Sequence, residues 1–152
     1  MKENIENNKI RRKDHRLHFY DYSKSAYYFI TINTYKRQHY FGEIKDNKMI
    51  LNESGSIVDD ISKNILDKDK AEFLCFQIMP NHIHFIIELK KDGGIELKNI
   101  ISYFKSTVSR NIKKIKPLWD RGYFDRVIRD EKEYNNVVKY IQNNPYRNKY
   151  KW

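Results

Sequence analysis

At 152 residues the chain has room for one domain with a sizeable core, and its single cysteine, Cys75, excludes an intramolecular disulfide framework and reads as a buried, inert thiol. No apolar stretch approaches bilayer-spanning length and the start lacks a signal-peptide apolar segment, so no membrane association and a bacterial cytoplasmic location are expected. A formal net charge of +10 with twelve tyrosines and eight phenylalanines points to nucleic acid ahead of an anionic membrane, because rings among cations suit stacking on unpaired bases; a compositionally biased genome would leave a similar mark.

Residues 1–20 are polar and basic, with Arg11, Arg12, Lys13 and Arg16. They read as an arm along a phosphate backbone or as a solvated tail, ahead of a single domain over 21–152. The aromatic and β-branched run 27–35 predicts a first strand. Lys48-Met49-Ile50-Leu51 predicts a short strand in a hairpin-like excursion, and Ile57, Val58, Ile61 and Ile65 predict a first helix over 54–66. Residues 73–79 and 82–89, joined by the Pro80-Asn81 turn, read as an antiparallel pair. Leu97, Ile100, Ile101, Phe104, Val108, Ile112 and Ile115 mark a long amphipathic helix closed by Pro117, and 119–128 reads as a fourth core strand. Asp130 and Glu133 suggest a capping box for a last helix, striped by Tyr134, Val137, Val138 and Ile141 and ending near Asn144, because Pro145 disfavours helical geometry before it. This order predicts an α+β fold, a ferredoxin-like αβ sandwich whose antiparallel sheet has helices on one face, with an added C-terminal helix. The other face is expected to be free for a site.

Period-two alternation sets His82 and His84 on one side of their strand and Ile83, Phe85, Ile87 and Leu89 on the other. Two adjacent imidazoles can grip one metal ion, or can stand as surface histidines on an exposed edge. A hard ion such as Mg²⁺ or Mn²⁺ also needs oxygen ligands and open positions for phosphate and water. On the last helix Tyr140 and Asn144 are one turn apart, at roughly 110° and roughly 70° from the centre of the apolar stripe. The Asn144 amide can therefore offer an oxygen beside a tyrosine outside the core. A tyrosine near a bound divalent cation can attack a phosphodiester and form a phosphotyrosine link; an ordinary surface tyrosine is the plainer reading.

Met79-Pro80-Asn81-His82-Ile83-His84 resembles the HUH motif of single-tyrosine transposases. More closely, the chain resembles the REP-associated tyrosine transposases over nearly its whole length. The resemblance is carried by Tyr28-Phe29-Ile30-Thr31-Ile32, Leu51-Asn52-Glu53-Ser54-Gly55, Trp119-Asp120-Arg121-Gly122-Tyr123, Val127-Ile128-Arg129-Asp130-Glu131 and Tyr140-Ile141-Gln142-Asn143-Asn144-Pro145. It implies a ferredoxin-like fold and cleavage of single-stranded DNA near hairpins, through a 5′-phosphotyrosine on Tyr140 that leaves a 3′-hydroxyl able to reverse the step. It implies His82 and His84 as ligands of Mg²⁺ or Mn²⁺, with Asn144 where relatives place a third, amide ligand. Where relatives often carry Trp-Gln-Arg-x-Tyr-Tyr-Glu-His, this chain has a segment ending in Arg126, which cannot ligate a cation and would act on phosphate instead. Tyr123 is a competing nucleophile ranked below Tyr140.

Lys36, Arg37, Lys105, Arg121 and Arg129 join Arg11 and Arg12 as candidate phosphate contacts, though for each one singly a solvated surface charge is the plainer reading. The basic aromatic tail, with Tyr146, Arg147, Lys149, Tyr150, Lys151 and Trp152, suits base stacking or packing on the domain. The partner expected is single-stranded or hairpin DNA, bound by a monomer or a homodimer. The rival readings are a replication or conjugation nickase of the same HUH type, and a non-catalytic nucleic-acid-binding module whose histidines face solvent.

Overall fold

The computed structural model describes residues 25–145. The N-terminal arm with Arg11 and Arg12, and the tail from Tyr146 to Trp152, lie outside the described residues.

Four strands, β1 (Ser25–Asn33), β4 (Ala71–Met79), β5 (His82–Lys90) and β6 (Phe124–Ile128), form one sheet in the order β4-β5-β1-β6, every neighbour antiparallel. With helices α1 (Glu53–Asn64) after β1 and α2 (Leu97–Asn111) after β5, this is the ferredoxin-like split βαβ arrangement. A separate hairpin, β2 (Gly42–Lys45) and β3 (Lys48–Leu51), fills the predicted excursion. Asp46 and Asn47 both take left-handed backbone at its tip, the geometry that a two-residue hairpin turn needs. Gly42 is held at φ 140 where an added Cβ would lie 2.0 Å from the Ile50 carbonyl oxygen, so β2 can begin there only with glycine.

The core on one face of the sheet joins Ile30, Ile32, Ile83, Phe85 and Ile87 to Ile100, Ile101, Phe104 and Val108 of α2. A bulge in β4 between Leu74 and Gln77, with Cys75 at φ 52, resets the alternation so that Phe73 and Phe76 both turn to this face. Phe76 stacks on Phe85 at 5.2 Å and 8°, and Phe73 meets Phe85 edge-on at 4.7 Å. Burial pushes the Cys75 thiol up to about 12, which keeps it protonated and unreactive.

The expectation of a free second face is corrected. Helix α3 (Glu131–Gln142) lies across it and buries Tyr134, Val137, Val138 and Ile141 against Tyr27, Leu74, Ile86 and Ile128. An amphipathic stripe has to be covered, and Ile86, two residues beyond His84 on the same side of β5, supplies an apolar floor for it. Asp130 caps α3 by accepting from the Glu133 N–H at 2.8 Å, while Glu133 accepts from the Arg129 N–H at 2.7 Å.

Three boundaries also move. β1 stops at Asn33, because Lys36 (φ 52) and Arg37 (φ 58) turn left-handed in a short 3₁₀ segment, Tyr35–Arg37. α2 stops at Asn111, since Ile112 leaves helical geometry, and Ile112 and Ile115 reach the core from the turn that follows. β6 begins only at Phe124: Trp119 makes an isolated bridge to Thr34, and left-handed Gly122 bends the chain between. Among the described residues no helix is long and apolar enough to cross a membrane.

Candidate active site

His82 and His84 sit in a central strand and are buried, at 0% and 3% exposure. Their Nε2 atoms converge, 3.0 Å apart, and Asn144 Oδ1 lies 3.3 Å from His82 Nε2. Asn81 Oδ1, which can only accept, stands 2.7 Å from His82 Nδ1; the proton is therefore on Nδ1 and the Nε2 lone pair faces the convergence point. Thr31, paired with His84 across β1 and β5, holds His84 Nδ1 through its hydroxyl at 2.9 Å. Each imidazole is thus oriented from behind by a second group, as metal-ligating histidines are.

Burial is the main cause that lowers the pKa of His82 to about 2, with the neighbouring His84, Arg37 and His39 adding to it against the Asn144 amide. Burial likewise lowers His84 to about 4, opposed by Asn144 and assisted by Arg37. Both rings are therefore neutral at pH 7, the state in which an imidazole donates to a metal.

The donor set fits a hard divalent ion. Ligands about 2.1 Å from an octahedral ion stand about 3 Å apart, close to the spacings of His82 Nε2 from His84 Nε2 and from Asn144 Oδ1. Among the described residues no cluster of three His, Cys, Asp or Glu side chains exists, and the oxygen that lies beside the two imidazoles is that of the Asn144 amide. Asn144 is fully buried, its Nδ2 has no hydrogen-bond partner among the described residues, and its Oδ1 is the atom turned to His82. Asn144 follows the end of α3, whose C-cap is Asn143.

Tyr140, in the last turn of α3, is half-buried with its ring 5.6 Å from that of His84 and 5.9 Å from that of Phe29. Phe29 also meets His84 at 5.5 Å. Tyrosine, both histidines and the amide are therefore gathered within a single chain. Tyr123 packs instead into the α1/α2 core, on the far side of the sheet.

The predicted cations divide. Arg37 is exposed, reaches Asn33 Oδ1 at 3.4 Å and lies close enough to the histidines to depress both. Lys36 is exposed beside it, its N–H donating to Asp120 Oδ1 at 3.2 Å and its ammonium 5.4 Å from the Tyr35 ring centroid. Arg126 is exposed and sits over the Phe29 ring at 5.9 Å, on the histidine face. Arg121 and Arg129 are exposed at the two ends of the β6 segment. Lys105 is placed differently: its ammonium donates to the carbonyls of Asp120 (2.9 Å) and Gly122 (2.8 Å) and so fixes the loop before β6. Sequence reasoning gave no role to Thr31, Asn81 or Phe29. The alternation that placed Thr31 and Phe29 on the histidine side of β1 was readable, but their partners on β5 and α3 were not.

Residues 21–144 match the family described as "Transposase IS200 like". An uncharacterized protein of Haemophilus influenzae is 33% identical over 88% of this chain and 88% of its own length. A second protein of that organism, provisionally named a REP-associated tyrosine transposase, is 26% identical over 86% of this chain and 76% of its own. Among solved structures, a REP-associated tyrosine transposase bound to a REP hairpin superposes with TM-score 0.64 at 20% identity, covering 82% of this chain and 69% of that one. A provisionally assigned transposase from Deinococcus radiodurans gives TM-score 0.54 at 16% identity, over 78% and 90% of the two chains. The chain belongs to the IS200-like transposases, and its enzymatic class is that of a tyrosine transposase acting in DNA recombination.

Proposed function

We propose that this chain is a divalent-metal-dependent single-stranded DNA endonuclease and strand transferase that cuts near DNA hairpins with Tyr140 as nucleophile. The observation that carries this reading is the convergence of His82 Nε2, His84 Nε2 and Asn144 Oδ1 beneath the Tyr140 ring. His82, His84 and Asn144 would hold Mg²⁺ or Mn²⁺, which when bound would supply Lewis-acid stabilisation of the charge that develops on the phosphate. Asn81 and Thr31 keep the two imidazoles turned inward, and Phe29 and His84 hold the tyrosine ring beside them. The Tyr140 oxygen bonds to phosphorus as the bond to the 3′-oxygen breaks. The phenolic proton is lost, the departing oxygen gains one to become a 3′-hydroxyl, and the 5′ end remains on the tyrosine. Attack by a 3′-hydroxyl on this link reverses the step and joins strands. Arg37 and Arg126 flank the histidine face and bind the phosphates on either side.

Hairpin DNA as substrate is supported by the neighbour bound to a REP hairpin. Because the groups meet within one chain, a monomer suffices for cleavage. A non-catalytic module with solvent-facing histidines is disfavoured by their burial. Incubation with a hairpin-bearing single-stranded oligonucleotide and Mn²⁺ should give a covalent adduct stable to denaturing gel electrophoresis, and Tyr140→Phe should abolish it. An adduct of undiminished yield from that variant would sink the assignment.

A further inference from the structure

Phe124 is 67% exposed, the most exposed large apolar side chain among the described residues. It belongs to the row His84, Thr31, Phe124 across β5, β1 and β6, and residues directly opposite in an antiparallel pair share a face. Its ring therefore stands on the histidine face, two strand spacings, about 10 Å, from His84. The next row is Ile86, Phe29, Arg126, which puts Arg126 on the same side as Phe124, its guanidinium over the Phe29 ring. Asp125, the one acid in β6, pairs with Ile30 and turns to the other face.

We infer that Phe124 is a stacking platform for an unpaired DNA base beside the reacting phosphate, with Arg126 holding the adjoining phosphate. The inference rests on the nuclease reading above and names how that site takes its single strand. A phenyl ring left in water gains by covering its face, and a base offers a flat π surface of any sequence to do so. The pairing of that ring with a guanidinium repeats the base–phosphate alternation of a single strand, in a chain of net charge +10. Arg126, two residues from Phe124 on the same side of β6, leads on to the candidate site, since Phe29 touches Arg126, His84 and Tyr140 in turn.

The test uses the full chain and a DNA hairpin whose single-stranded flank carries 5-iododeoxyuridine at successive positions. Long-wavelength irradiation followed by peptide mass spectrometry should place one cross-link on Phe124. Phe124→Ala should remove it and weaken binding of the flank about tenfold, Phe124→Trp should restore both, and an abasic flank should bind wild type and Phe124→Ala alike. Cross-links on Tyr146, Tyr150 or Trp152 instead, or a Phe124→Ala protein that binds the flank as wild type does, would overturn the platform. So would a Phe124→Ala protein that loses only self-association by light scattering. These readouts need no cleavage: loss of the adduct assignment through Tyr140→Phe leaves the cross-link result standing, and an intact adduct with no cross-link at Phe124 removes the platform alone.

Discussion

Strand β5 faces two different interiors. Towards α1 and α2 it offers Ile83, Phe85 and Ile87, all fully buried among other apolar side chains. Towards α3 it offers His82, His84, Ile86 and Glu88, polar at both ends and apolar only at Ile86. The three polar side chains that β5 turns to that second face, His82, His84 and Glu88, each have specific partners. Asn81, Asn144 and Thr31 hold the histidines, and Ser25 donates to Glu88 at 2.6 Å while Lys90 pairs with it at 3.2 Å. One face is held by volume and the other by matched pairs, so the first should respond to truncation in stability and the second in chemistry.

Substitutions on each side can break or sharpen that contrast. The largest effect expected is from Phe85→Ala, which removes the centre of the aromatic cluster and should cost about 3–5 kcal/mol in chemical denaturation, with adduct yield per folded molecule unchanged. Thr31→Val keeps the shape but removes the hydroxyl behind His84. It should weaken Mn²⁺ binding about 10–100-fold by calorimetry while shifting the melting temperature little. The smallest effect is expected from Asp130→Ala, which removes the cap of α3 and should cost about 1 kcal/mol. If Thr31→Val proved as destabilising as Phe85→Ala, with metal affinity intact, the histidine face would be a second structural core and the contrast would fail.

Periodicity carried most of the fold. His82 and His84 were readable as a pair on one side of a strand, and the stripe of α3 was readable as a helix. That the last helix would bring Tyr140 and Asn144 to the histidines was expected from the family resemblance, but the packing of its apolar stripe across the rest of that face was signalled only by Ile86 and was missed. Local pattern cannot show that Asn144 turns back to His82, since the two are far apart in sequence and the helix ends between Tyr140 and Asn144. The left-handed pair Lys36 and Arg37 and the bulge at Cys75 carry no glycine to announce them. Lys105 looked like any other cation on α2, because its carbonyl partners lie in a loop whose bend depends on Gly122.

The cap at Asp130 stands at one end of α3 and Tyr140 at the other, with the apolar stripe between. The helix that seals the second interior is thus also the arm that carries Tyr140, the proposed nucleophile. Partial opening confined to its last turn would withdraw the tyrosine while the sheet and the α1/α2 core stayed intact. Heat should accordingly silence such an enzyme several degrees before it melts, and the amide protons of residues 139–142 should exchange ahead of those in β5.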